Sequence, residues 1–191
     1  MSYPCPYGVC DGSGFVVDEG GAAEPCRCRP ERLARSKSTR LSAVIPKRYQ
    51  GLAFDRPPVT LMDQSIVSYV RDYAAQIEQR VNKGRGLWLM GPSGTGKTTL
   101  AMLVAQAAIE ARKTVAIYSL PRLLAELRRT FDDDGDSQLA LLDRLTAVDL
   151  LHLDDVGAER SSEWVLEQLY AVVNARYEAE RAIVITTNLN P

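Results

Sequence analysis

The chain has no run of apolar residues near the roughly 18 that a membrane span requires. Its first residues, MSYPCPYGVCDG, lack the charged-then-apolar pattern of a secretory leader. Neither a bilayer span nor export is therefore expected, and a cytoplasmic location is. Charge of one sign is also missing: 23 Lys and Arg stand against 24 Asp and Glu, a net charge of −1. Any contact with nucleic acid must then come from a local basic surface. Histidine is reduced to His152 alone, cysteine does not occur beyond residue 28, and there is no internal repeat. What is present, 46% hydrophobic and 25% charged residues in a chain of 191, is ordinary globular material. It fits one domain or one domain with a small appendage, and excludes disorder, collagen and coiled coil.

Composition divides the chain into three parts. Residues 1–30 are rich in Cys, Gly and Pro, with too few large apolar residues for a core, so this part needs a staple to be ordered. Residues 31–50 form a basic linker. Between residues 27 and 48 lie Arg27, Arg29, Arg32, Arg35, Lys37, Arg40, Lys47 and Arg48 against the single acid Glu31. The linker reads equally as a solvated tether or as a surface for DNA phosphates or an acidic partner. Only Tyr49 is near enough for base stacking, which argues against sequence-specific or stacking-based readout.

Residues 51–191 alternate helical and strand patterns. Ile66, Val70, Ala74, Ile77 and Val81 predict one amphipathic helix after an Asp63 cap. Strands are expected over 86–90, 114–119, 149–153 and 182–187, and helices over 97–111, 121–131, 138–145 and 162–178. The acidic residues 132–136 read as a surface loop. Strands alternating with helices predict an α/β fold, a parallel sheet with helices on both faces.

Directly after the first of these strands comes Gly91-Pro92-Ser93-Gly94-Thr95-Gly96-Lys97-Thr98, with Thr99 continuing into a helix. It fits G-x-x-x-x-G-K-[ST] between strand and helix, the setting of a phosphate-binding loop. Glycines let successive N–H groups turn toward a β-phosphate, and the helix adds its positive end. Lys97 can reach the β- and γ-phosphates and the Thr98 hydroxyl can ligate Mg²⁺. Mg²⁺ also needs a carboxylate at a neighbouring strand end, which Leu150-Leu-His-Leu-Asp154-Asp155 supplies. Asp154 is the Mg²⁺ partner, directly or through water, and Asp155 is placed to polarise the attacking water. The last strand ends in Thr186-Thr187-Asn188, where the Asn188 amide can hold that water or read the γ-phosphate.

These motifs together resemble the AAA+ ATPases of the DnaC/DnaI-type helicase-loader group, which also includes IstB-type transposase helpers. The similar stretches are Ile45-Pro-Lys-Arg-Tyr49, Phe54-Asp55, GPSGTGKTTLA, LLHLDDVGAE and ITTN, across residues 45–191. The resemblance implies a P-loop NTPase sheet of order 5-1-4-3-2. It also implies ATP on the loop, Mg²⁺ and water activation at Asp154 and Asp155, and a sensor 1 role for Asn188. Two departures stand out. Asp155 replaces the Glu common as the second acid, which points to slow or tuned hydrolysis. The sequence ends at Pro191, where the family continues into a fifth strand and the arginine finger, so an open edge at Leu87–Met90 is expected, in a truncated chain or in a shortened relative that needs a partner to cover that edge. Arg176 and Arg181 read as solvated residues near a helix end, and no arginine finger or sensor 2 residue is assigned.

Cys5-x₄-Cys10 and Cys26-x-Cys28 make two close pairs across a Gly-rich stretch, matching a four-thiolate Zn²⁺ site; free thiols in a disordered tail are the alternative. Cysteine-bearing segments of this kind precede the ATPase in DnaI-like loaders and contact the helicase there. His152 falls within a buried strand pattern and is expected to be structural. Arg122, Arg128 and Arg129 offer a second phosphate-contact face. The expected function is ATP-dependent loading of a replicative helicase onto single-stranded DNA, with self-association through the ATPase part. Its rivals are a transposition helper, a small-molecule P-loop kinase and a non-hydrolysing nucleotide-dependent module.

Overall fold

The computed structural model describes residues 5–17, 21–30, 45–132, 136–157 and 162–189. Most of the basic linker, including Arg32, Arg35, Lys37 and Arg40, lies outside the described residues, as do 133–135 of the acidic stretch and Asn190–Pro191.

Near the start, β1 (Phe15–Val17) and β2 (Ala23–Pro25) form an antiparallel pair in which Val16 faces Glu24. Two 3₁₀ turns, Lys47–Tyr49 and Val59–Leu61, lead to α1 (Gln64–Ala75) and α2 (Ile77–Asn82). The expected single helix is thus broken at Gln76. Ile66, expected on the buried face, is exposed; Val67, Val70, Tyr73, Ala74, Ile77 and Val81 carry the contact. The steps from Val67 place its stripe on the core, and a stripe begun at Ile66 is rotated onto the rim.

The main sheet follows. β3 (Leu87–Met90) leads through the Gly-rich loop to α3 (Lys97–Glu110), then β4 (Val115–Ser119), α4 (Leu120–Asp132), α5 (Asp136–Ala147), β5 (Leu150–Val156), α6 (Glu163–Glu178) and β6 (Ala182–Thr187). Asp132 and Asp136, read as loop, are helical ends. The sheet is parallel in the order β3-β6-β5-β4. Sequence-adjacent β3 and β4 therefore lie at opposite edges, with β6 and β5 between them. Among the described residues β3 pairs with β6 alone, which is the expected open edge.

Side chains alternate across this sheet, as a two-residue period requires. Leu87, Leu89, Val115, Leu150, Ala182 and Val184 face one core, packed against α1 and α3. Ala116, Tyr118, Leu151 and Leu153 face a second core with α4, α5 and α6. In α3 the small residues Ala101, Ala105 and Ala108 are fully buried, letting the helix lie close to the strands. Leu120, Leu123, Leu124 and Leu127 give α4 its apolar stripe. Each fully buried leucine is worth about 1.5–3 kcal/mol. All four strands run the same way, so their C-terminal ends open on one crevice.

Arg176 is not solvated. It is completely buried, and its guanidinium donates to the carbonyls of Leu145, Val148 (3.0 Å) and Ala182 (2.7 Å). These are chain ends converging where α5 stops and β5 and β6 begin, and a planar cation with five N–H groups satisfies several at once. Arg181 is half-exposed and pairs with Asp149 at 3.0 Å. No helix among the described residues is long and apolar enough to cross a membrane.

Candidate nucleotide-binding site

The loop from Gly91 to Gly96 joins the C-terminal end of β3 to α3. Gly94 (φ 82°) and Gly96 (φ 90°) hold left-handed backbone that side-chain-bearing residues rarely adopt. Gly96 is the N-cap of α3, and no side chain caps the helix there. The first N–H groups of α3 thus lie behind a loop shaped for phosphate oxygens, at the positive end of the helix dipole. Lys97 Nζ folds over the loop and donates to Gly91 O and Pro92 O, each at 2.8 Å. Thr95 Oγ1 closes the loop from within by donating to Pro92 O at 2.9 Å. Ser93 and Thr95 lie on the exposed rim, and Thr99 is half-buried in the first turn of α3.

Asp154 lies across the crevice at the end of β5, on the face turned toward α3. Its Oδ1 accepts from Thr98 Oγ1 at 2.8 Å and from Thr186 Oγ1 at 2.6 Å. Burial alone would raise its carboxyl, but the neighbouring His152 imidazole and the Thr186 and Thr98 hydroxyls outweigh it and bring it down to about 2. The group is a carboxylate at any working pH, joined by one hydrogen bond to the threonine of the loop. Oxygen donors so placed suit a hard dication such as Mg²⁺.

Asp155 takes left-handed backbone at φ 56°, and the pairing of β5 with β6 shifts register between Leu153 and Val156. Its N–H donates to Thr186 Oγ1 at 3.0 Å. This bulge turns the second acid out of the strand alternation and leaves it half-buried at the crevice. Thr187 Oγ1 donates to Val156 O at 2.5 Å, and Asn188 follows, exposed, at the end of β6. The structure thus brings Lys97, Thr98, Asp154 and Asp155 together with the end of β6. Two participants escaped the sequence reading: Thr186, which bonds Asp154, and His152, which lies beneath it. Two-residue alternation along β5 places His152 on the face of Asp154, and that signal was available.

An open groove of about 340 Å³ runs along the outer edge of β3 beside the loop, lined by Ile66, Tyr69, Trp88, Met90, Thr95 and Lys97. Arg122, Arg128 and Arg129 are exposed on α4, and the Arg128 guanidinium lies 4.7 Å from the Trp164 ring centre.

The four cysteines form a second site. Their sulfurs all lie within 4.8 Å of one another, with Cys5 to Cys26 at 3.8 Å and Cys10 to Cys28 at 3.6 Å. A tetrahedron of thiolates with Zn–S of about 2.3 Å has edges of about 3.8 Å, so the donors fit Zn²⁺. Backbone hydrogen bonding around Cys10 pulls the Cys5 thiol down to about 6, while burial and the neighbouring sulfurs push Cys28 up to about 12. Sulfurs this crowded resist joint ionisation, and a dication offsets that repulsion. His152 is not part of this cluster.

A parallel sheet with a glycine-rich phosphate loop after one edge strand and a carboxylate at the end of an inner strand defines a P-loop nucleotide-binding domain of the AAA+ type. The chain belongs to the family of IstB-like ATP binding proteins, whose model matches residues 30–190. It is 24% identical over 173 residues to the replicative helicase loader DnaI of Bacillus subtilis, covering 87% of this chain and 53% of DnaI. Against the replicative helicase loader DnaC of Escherichia coli (strain K12), identity is 24% over 174 residues, covering 91% of this chain and 70% of DnaC. The chain thus spans about half of one relative and about two thirds of the other. The crystal structure of the DnaC helicase loader superposes with a TM-score of 0.66 at 26% identity, covering 76% of this chain and 81% of that one. The replication initiator DnaA bound to AMPPCP and single-stranded DNA gives 0.62 at 19% identity, covering 77% and 44%, a likeness of fold.

Proposed function

We propose that this protein binds and hydrolyses ATP in order to help place a replicative helicase on single-stranded DNA. The observation that carries the reading is the hydrogen bond from Thr98 to Asp154, which couples the phosphate loop to the acidic strand end. The loop N–H groups and the start of α3 hold the phosphates, and Lys97 leaves the Gly91 and Pro92 carbonyls to meet the β- and γ-phosphates. Thr98 and Asp154 are the residues that would hold Mg²⁺, which would neutralise charge developing on the phosphate oxygens. Asp155 accepts a proton from the attacking water, and the Asn188 amide orients that water. With Asp in place of Glu the base is one methylene shorter, consistent with slow turnover.

The partner is inferred from the relatives, two of which are replicative helicase loaders, and single-stranded DNA from the ligand of the DnaA neighbour. The four cysteines hold Zn²⁺ in a small helicase-facing module ahead of the basic linker. A transposition helper is the second reading, favoured by the family description; against it, such helpers usually lack a cysteine-rich front.

Fluorescent-ATP binding and single-turnover hydrolysis test the proposal, with and without single-stranded DNA and helicase. Lys97→Ala is expected to lower nucleotide affinity and turnover at least about tenfold while leaving the fold intact. Transfer of phosphate to a small acceptor would show a kinase. Binding with no turnover beside the helicase would leave a passive module.

A further inference from the structure

His152 is completely buried in β5, between Ile117 of β4 and Val184 of β6 at the same register. Both neighbours are aliphatic, and neither imidazole nitrogen has a hydrogen-bond partner. A buried polar ring without partners is costly where a leucine would pack well. The polar atom that Nε2 approaches is Asp154 Oδ1, at 3.6 Å, just beyond hydrogen-bond length. That same oxygen takes the Thr98 and Thr186 hydroxyls. Three groups on three elements, α3, β6 and β5 itself, therefore converge on Oδ1.

We infer that His152 is a positioning residue for the divalent cation of the bound nucleotide: its Nε2, 3.6 Å from Asp154 Oδ1, closes to hydrogen-bond length when the cation binds, and with Thr98 and Thr186 it then fixes Oδ1 and aims the other carboxylate oxygen at the cation. Two hydroxyls alone leave the carboxylate free to rock about its last torsion. A third donor, two residues back on the same face of β5, removes that freedom, and its ring is held in place by the packing of the sheet. Partners behind a metal ligand commonly govern affinity in this way. The inference rests on the nucleotide-site reading above.

The test titrates Mg²⁺ into fluorescent ATP and protein, comparing wild type, His152→Leu and His152→Gln. Thermal melts without nucleotide accompany the titrations. His152→Leu fills the same space with no donor and is expected to raise the Mg²⁺ half-saturation about tenfold. Nucleotide binding in EDTA should be unchanged. His152→Gln restores a donor near the Nε2 position and should recover most of the loss. Equal half-saturation in wild type and His152→Leu overturns the inference, as does a loss in His152→Leu that His152→Gln shares in full. Should His152→Leu fail to fold, His152→Gln against wild type decides, a near-native value supporting the donor role and a value as high as about tenfold overturning it. Wild type that binds no nucleotide at all overturns the site reading itself, and the inference with it.

Discussion

Tyr73 shows how a single side chain couples the outer helix to the loop-bearing strand. Its ring is buried in the first core, and its hydroxyl donates to Arg85 O at 2.5 Å, just ahead of β3. Burial pushes the phenol up to about 12, because the phenolate would lose hydration and the bond it now donates. The unfolded chain ionises this group near pH 10 and the folded one does not. Its contribution is therefore fully present below about pH 10 and drains away as pH climbs toward about 12. Tyr73→Phe should cost about 1 kcal/mol at pH 8 for the lost hydrogen bond. The gap between the two proteins should then narrow in urea melts at pH 11. A gap of the same size at both pH values would show that the phenol titrates alike in both states.

At the scale of elements, Arg176 does work that no strand or helix propensity accounts for. Its contacts tie the end of α5 to the starts of β5 and β6, at the end of the strands opposite the nucleotide crevice. Burial, with Arg181 nearby, pushes the guanidinium down to about 9, still charged at neutral pH. Arg176→Met fills similar volume but leaves buried carbonyls without a donor, and about 3 kcal/mol of stability should be lost. Nucleotide affinity measured well below the melting point should stay near wild type. An unchanged melting temperature would mean the carbonyls find other donors. The same residue marks where sequence reading stops. Strands and helices were legible because apolar residues recur at two- and three-to-four-residue steps, and the phosphate loop because its spacing is nearly unique. Arg176 sits four residues past Val172, two residues before the end of its helix, and nothing local separates a buried arginine from a solvated one. The bulge at Asp155 was equally hidden, since it arises from the register between β5 and β6. Ile66 and Val67 are adjacent, and only packing against α3 decides which of them is buried.

At the scale of the molecule, the apolar cores and the four cysteines lie in different parts of the chain. The two apolar cores are built from residues 59 onward, with partly buried support from Ile45, Leu52 and Phe54. Among the described residues before Pro30, the buried hydrophobic side chains are Cys26 and Cys28. Around them stand a three-residue strand pair and the Arg29 guanidinium stacked 3.7 Å from the Phe15 ring centre. Surface of that kind cannot offset the ordering entropy of about 25 residues, roughly 1–2 kcal/mol each for the backbone. A metal on four thiolates can, at an apparent 10–16 kcal/mol or so for structural zinc in small domains. Purified protein should thus carry about one Zn per chain by elemental analysis. A strong chelator or Cys26→Ser should remove it and make the first 30 residues sensitive to protease. The melting transition of the nucleotide-binding core should stay in place, because none of its buried residues belongs to the cysteine segment. Metal-free protein with the segment still protected would assign its order to something other than zinc. A core transition that fell with the metal would show that the two parts fold as one.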